Sequence, residues 1–416
     1  MNRQRYLNQL IRKKHNGLIK IITGIRRSGK SYLLFDLFYP YLLNNGIPAD
    51  HIIKLALDDR MNKKFRDPDY LCEFVHNSIK DDKMYYILLD EVQLVNEFED
   101  VLNSFLHIKN ADTYVTGSNA KFLSKDIITE FRGRGDQIHV FPLSFSEFMS
   151  AYSGNVYDGW KEYILYGGLP KLLEIPDYRD KANYLKNVAG ETYIKDILER
   201  NDVRNPSELE DLLNYLASSI GGLTNPKRLS DTFKSVKNVS IHPDTIKSYL
   251  DYFQNSFLVS EVKRYNVKGK KYINTPMKYY FTDVGIRNQC LNFRQYEETH
   301  LMENVIYNEL LIRGYNVDVG EVEFSYYDEQ KKKALKKLEV DFVCNMASER
   351  IYIQAALSLP TLEKEQQESN SLRRINDSFK KIIITKDAPT HYNDDGILIQ
   401  NLFEWLLNSE GSLHSV

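Results

Sequence analysis

The sequence predicts an α/β protein on three observations. Short apolar runs alternate with helical stretches through the first 143 residues. A glycine-rich segment falls between the first apolar run and the helix after it. A second strand-and-helix pattern begins near Glu303, beyond a mainly helical region. Residues 1–17, MNRQRYLNQLIRKKHNG, read as a lead-in helix. Strands follow at LIKIIT (18–23), HIIKLAL (51–57), MYYILLD (84–90), TYVTG (113–117) and QIHVFPL (137–143). Helices are expected from Lys30, around Tyr70–Ile79 and near Phe98–His107. The strand runs are nearly continuously apolar, as strands covered on both faces should be, which argues for a parallel sheet.

From Ser144 to about Glu199 the pattern is helical, broken by YGGLPKLL at 166–173. Three helical segments follow between 207 and 257, then the hairpin-like VSEVKRYN…KKYINTPMKYYFTD. Three helices and a hairpin match a winged helix. The helix ENVIYNELLIRG leads into strands at 316–326, 338–344, 350–357 and 381–385. Four domains are therefore expected: a first α/β core at 1–143, a helical lid at 144–203, a winged helix at 204–290 and a second α/β domain at 291–416.

The chain has 416 residues, enough for more than one core, with 42% hydrophobic and 27% charged residues. The net charge of −2 announces no nucleic-acid binder, so any such surface must be local. The three cysteines, Cys72, Cys290 and Cys344, show no CxxC spacing, which argues against a disulfide framework or a zinc site. No apolar leader and no run of about 18 apolar residues is present, so a cytoplasmic protein without membrane association is expected.

GIRRSGKS, Gly24 to Ser31, fits G-x-x-x-x-G-K-[ST] between a strand and a helix. Gly24, Ile25, Arg26, Arg27, Ser28, Gly29, Lys30, Ser31 and Tyr32 are the expected ATP-binding residues. Such a loop wraps phosphates with inward N–H groups at a helix N-terminus. Lys30 is expected on the β- and γ-phosphates and Ser31 on Mg²⁺. MYYILLDE ends a strand in Asp90 and Glu91: Asp90 for the magnesium, Glu91 for the attacking water. The competing reading is that the two acids cap the next helix. The fourth strand runs into TGSNAKF, where Ser118 and Asn119 are the candidates to touch the γ-phosphate or the water. Arg134, in RGRGDQIHVF, is either a finger reaching a neighbouring subunit's γ-phosphate or a surface arginine.

Taken in order, TGIRRSGKS, YILLDEVQ, VTGSNAKFL, RGR-x-x-x-IHVFPLSFSEF, YGGLPKLL, KYYFTDVGIRN and ENVIYNELLIRGYNVDVG resemble the prokaryotic AAA+ ATPases that carry a C-terminal domain of unknown function. The resemblance spans nearly the whole chain. It implies an AAA+ core with a sensor position at Ser118 or Asn119 and a finger at Arg134. YGGLP stands where many AAA+ proteins keep a second-sensor arginine; no obvious arginine follows it, and that role is left unassigned.

The third winged-helix segment carries Lys247 against Asp244 and Asp251 and is not basic. In the hairpin, Lys263, Arg264, Lys268, Lys270 and Lys271 cluster, either as a DNA-phosphate contact, as a solvated tip, or within a protein-binding surface. In the last domain, Asp341 and Gln354 lie on successive strands in the order of a PD-(D/E)xK nuclease fold. That pattern calls for an acid at 354 and a lysine at 356, where this chain has Gln354 and Ala356. Glutamine brings a metal no charge and alanine does no chemistry, so a fold kept for contact is favoured over a nuclease. Lys331–Lys333, Lys336 and Lys337 lie earlier and reach that site only by folding back. Glu303 and Glu309 are six apart, about 240° around a helix, so at most one faces a shared site.

Overall fold

A computed structural model describes residues 3–117, 133–327 and 333–408. The chain divides into two compact units, one running to Pro142 and taking in 169–171 and 255–257, the other holding the rest.

The first unit is built on five parallel strands: β1 (Ile19–Thr23), β2 (Ile52–Ala56), β3 (Tyr85–Asp90), β4 (Ala111–Thr116) and β5 (Gly135–His139). Their order is β2-β3-β4-β1-β5, so β4 lies between the glycine-loop strand and the acid-bearing strand. Side chains alternate between two apolar layers. Ile19, Ile21, Ile53, Leu55, Ile87 and Leu89 pack against helices Pro68–Ser78 and Phe98–Phe105. Ile22, Tyr86, Leu88, Tyr114 and Ile138 pack on the other face, with Tyr6, Leu10, Leu33, Leu34 and Phe38. Tyr6 and Leu10 belong to the expected lead-in helix, Gln4–Arg12. Lys20 points into this second layer and is neutralised there by buried Asp112. The fifth strand starts and ends earlier than its apolar run suggests, because pairing with β1 begins at Gly135 opposite Ile19 and ends at His139 opposite Thr23. The helix that opens at Lys30 winds as a π-turn over Leu33–Phe38, just ahead of Pro40, which has no N–H to donate.

The second unit begins with helices, among them Val156–Tyr166, Tyr178–Asn187, Pro206–Ser218, Pro226–Thr232 and Pro243–Asn255. An eight-stranded sheet follows, with β6 (Val259–Asn266), β7 (Lys271–Phe281), β8 (Asn316–Tyr327), β9 (Lys333–Met346), β10 (Glu349–Ala356), β11 (Lys380–Thr385), β12 (His391–Tyr392) and β13 (Leu398–Asn401). The order is β12-β13-β11-β10-β9-β8-β6-β7. The hairpin read as a wing is thus the margin of this sheet. β6 pairs with β7 and also, in parallel, with β8 from Arg264 opposite Val319, so backbone groups that a free wing would leave unpaired are satisfied. Arg264 is tied to Glu321 at that junction, which withdraws it from the exposed basic cluster. Lys268, Lys270 and Lys271 remain exposed.

Two of the sequence motifs meet in this unit. Gly167 of YGGLP has φ +82°, and Gly168 donates its N–H to Asp283, 2.7 Å away in KYYFTDVGIRN. Asp283 also caps the helix Val284–Cys290 through Ile286 N–H. Burial pushes its carboxyl up to about 6 despite those N–H donors. The motif pair is therefore a packed turn.

Candidate nucleotide site

β1 delivers the chain to Gly24, whose φ of +139° and close approach to β5 both demand glycine. A Cβ there would lie 2.2 Å from the Val140 carbonyl oxygen. Arg27 and Gly29 also take positive φ, and Gly29 stands at the N-cap of the helix. The first turn of any helix carries N–H groups without intrahelical partners, and here the curled loop directs the chain into that turn. Ile25 and Ser28 are buried, Arg26 is half-buried, and Arg27, Ser31 and Tyr32 are exposed. Ser28 Oγ is buried with no hydrogen-bond partner among the described residues. Lys30 is buried and its Nζ donates to the carbonyls of Gly24 (3.0 Å) and Ile25 (3.1 Å). Burial pushes this amine down to about 8, against the pull of Glu91 and Asp90.

Asp90 ends β3 and is buried, with its carboxylate accepting from Thr116 Oγ1 and from Ser31. Burial raises its pKa, and those two bonds oppose the rise. The hydroxyl and the carboxylate proposed from sequence for one ion are therefore in contact. Glu91 adopts φ +54°, ψ +48°, and its N–H donates to Thr116 Oγ1 at 2.9 Å. Its carboxylate accepts from Gln93 Nε2, and it makes no capping bond to the turn Val92–Leu94. Asp90 is likewise engaged across the sheet, so the helix-capping alternative does not describe either acid.

Two residues of this site were not singled out from sequence. Thr116, at the end of the intervening strand, bridges Asp90 and Glu91; the sign was its place at the end of the TYVT run, one residue before the glycine. His139 ends β5 opposite Thr23, with Nδ1 3.2 Å from Thr23 Oγ1. Burial, and then the Lys30 charge, push its imidazole down to about 4. Ser118 and Asn119 lie outside the described residues. Arg134 is exposed, its guanidinium 3.3 Å from Asn103 Oδ1, and its carbonyl accepts from Ile19 N–H. It therefore precedes β5 at the end of the sheet opposite the loop, about 16 Å from His139 along a five-residue strand at ~3.3 Å per residue.

A second polar cluster occupies the eight-stranded sheet. Lys278 of β7 is buried with Nζ 2.9 Å from Glu303 and 2.7 Å from Glu339. Tyr280 also donates to Glu303. Burial opposes ionisation of Glu303, but Lys278, His300 and Tyr280 hold it down to about 2. Buried Asp341 accepts from Ala355 N–H at 2.8 Å, and burial plus the Glu303 charge raise it well above the usual carboxylate range. Glu309 pairs with Arg313 instead, so only one of the two helix acids reaches the cluster. Gln354 accepts from Ser371, and Ala356 is packed in the apolar core. Lys337 pairs with Glu321 and Glu323. The lysine beside these acids is Lys278, brought from the hairpin. Among the described residues no group of three His, Cys, Asp or Glu side chains is arranged to hold a metal ion, and no helix is long and apolar enough to cross a membrane.

A family model described as an AAA domain matches residues 16–149, and a second, a domain of unknown function (DUF8612), matches residues 157–297. An uncharacterized protein of Haemophilus influenzae is 33% identical over 98% of this chain and 98% of its own length. Another, from Methanocaldococcus jannaschii, is 28% identical over 91% of this chain and 83% of its own. Among solved structures, the Aeropyrum pernix Orc1 protein in complex with DNA aligns with 70% of this chain and 92% of that one, at 11% identity. Its TM-score of 0.28 is too low to weigh on fold or function. At 33% identity over nearly the whole of both chains, this chain, which carries the AAA domain and DUF8612 matches, belongs to the family of the Haemophilus protein.

Proposed function

We propose that the chain binds and hydrolyses ATP with Mg²⁺, and that turnover drives conformational change in its second unit, used against DNA or a protein partner. The observation that carries the reading is the set Lys30, Ser31, Asp90 and Glu91, with Thr116 joining the two acids. Gly24 to Tyr32 form the phosphate cradle: Gly24 leaves room that a Cβ would fill, and the orphaned Ser28 hydroxyl is free to turn inward. Lys30 exchanges the two loop carbonyls for phosphate oxygens, whose negative charge holds the amine protonated against burial. Ser31 and Asp90 are suited to hold Mg²⁺, which supplies charge neutralisation to the phosphates when bound. Glu91 orients the attacking water and accepts its proton, while Thr116 fixes the Glu91 backbone. Ser118 or Asn119 completes the set as the sensor.

Phosphate release by the purified chain tests this. Lys30→Ala is expected to abolish nucleotide binding. Glu91→Gln should keep binding but lower turnover on the order of 100-fold, as for loss of a general base. Unchanged release in either variant overturns the reading. Asp341 and Gln354 are assigned to a fold used for contact; DNA cleavage in Mg²⁺ or Mn²⁺ that Asp341→Ala removed would replace that assignment with a nucleotide-gated nuclease.

A further inference from the structure

The second unit contains a cavity of about 530 Å³, within the range of small-ligand sites, on the face of the eight-stranded sheet. Strand register builds it. Tyr265 of β6 stands opposite Tyr272 of β7, and Asn345 of β9 stands opposite both Asn316 of β8 and Arg350 of β10. Lys263 and Tyr265, two apart, share one side of β6, so aromatic, amide and cationic groups line one recess across five strands.

The chemistry of the lining is specific. Tyr272 is 58% exposed and meets Tyr265 edge-on at 5.5 Å between centroids, which leaves ring surface to the cavity. Arg350 lies 5.1 Å over Tyr265 and donates to Asn345 Oδ1 at 2.8 Å, so that amide is oriented with its NH₂ left over. Asp318 accepts from Tyr272 and Glu261 from Tyr279, so both carboxylates are engaged by phenols. Lys263 is exposed and, with Arg350, acts on the Asp318 carboxylate, while Lys268, Lys270 and Lys271 are exposed further along the hairpin. A stacking ring, an oriented amide and a cationic rim together fit an aromatic base, its polar edge and its phosphate. An acidic peptide would use the cations but leave the ring unused. A base held in a duplex offers no free face to Tyr272.

We propose that this cavity receives one unpaired nucleotide of a single-stranded nucleic acid, stacked on Tyr272, read by Asn345, with its phosphates along Lys263 and the hairpin lysines. This deepens the reading of the second unit as a nucleic-acid contact and needs no ATP turnover. The test is fluorescence anisotropy of the full chain, without ATP, using a labelled 12-nucleotide single strand of DNA or RNA, the matching duplex, and adenosine monophosphate as competitor. Single strands are expected to bind more tightly than duplex. Tyr272→Ala should weaken them about 10-fold, the usual cost of one lost stack, while Tyr272→Phe, which keeps the ring but releases Asp318 from the hydroxyl, should lose clearly less. Lys263→Gln should weaken binding and reduce its salt dependence. Unchanged binding in Tyr272→Ala overturns the proposal, as does equal loss in Tyr272→Phe. Competition by the mononucleotide at the oligonucleotide's own affinity overturns the strand and leaves a free nucleotide as ligand. Duplex binding without single-strand binding sinks this site yet spares DNA contact elsewhere. Lys30→Ala should bind single strands normally, so failure of the ATPase reading is read separately.

Discussion

His139 shows what a single residue's surroundings do to its chemistry. It ends β5 against Thr23, and burial with the neighbouring Lys30 charge pushes its imidazole down to about 4. A base whose folded pKa falls below its ordinary value of about 6.5 favours folding in its neutral form. Its contribution is complete above pH 6.5 and is lost as pH falls through 4. Urea midpoints measured from pH 7 to pH 4 should fall more steeply for the parent than for His139→Gln. The difference should be about 1–3 kcal/mol. Parallel slopes would show that His139 titrates normally. Lys30 is shifted in the same sense and for the same first reason, burial, but there Asp90 and Glu91 pull back, so the amine retains its charge below about 8.

At the scale of elements, β7 has two duties. It pairs with β6 along its length, and it carries Lys278 to Glu303 of the helix Glu298–Ile312 and to Glu339 of β9. Burial lowers the lysine's pKa, but Glu303, Asp341 and Glu339 together keep it above its ordinary value. Removing one partner of a buried charge pair leaves the other uncompensated, which costs about 3–5 kcal/mol. Lys278→Ala should therefore lower the unfolding midpoint sharply, and adding Glu303→Gln should return part of the loss. A coupling of about 1–3 kcal/mol in that double-mutant cycle marks a true pair, whereas additive losses would mean the two residues act apart. The same logic explains Arg264. At the edge of a free hairpin it would extend the basic tip, but pairing of β6 with β8 places Glu321 beside it.

For the molecule as a whole, strand order governs what the candidate nucleotide site holds within one chain. Placing β4 between β1 and β3 brings Thr116 to Asp90 and Glu91, while parallel alignment of β5 with β1 puts Arg134 at the far end of the sheet. A side chain there does not reach Lys30 of its own chain, so any catalytic part for Arg134 is played on a neighbouring copy. Arg134→Ala and Lys30→Ala proteins should each be deficient in phosphate release, and mixing them should restore measurable turnover. If no ratio restores it, Arg134 is a surface arginine held by Asn103.

Much of this was legible in the residues alone. The five strands of the first sheet, the phosphate loop and the acid pair are local patterns: apolar runs covered on both faces, glycines at positive φ, charged residues at a strand end. The sequence by itself therefore determined the α/β class and singled out Lys30, Ser31, Asp90 and Glu91 as candidates. Only tertiary structure decided that Thr116 joins the two acids, that His139 is enclosed beside Lys30, and that Lys278 neutralises Glu303 and Glu339. It also decided that the hairpin is the margin of an eight-stranded sheet. Each of these depends on which strands lie side by side, and strand neighbours distant in sequence leave no periodicity in either strand to announce them.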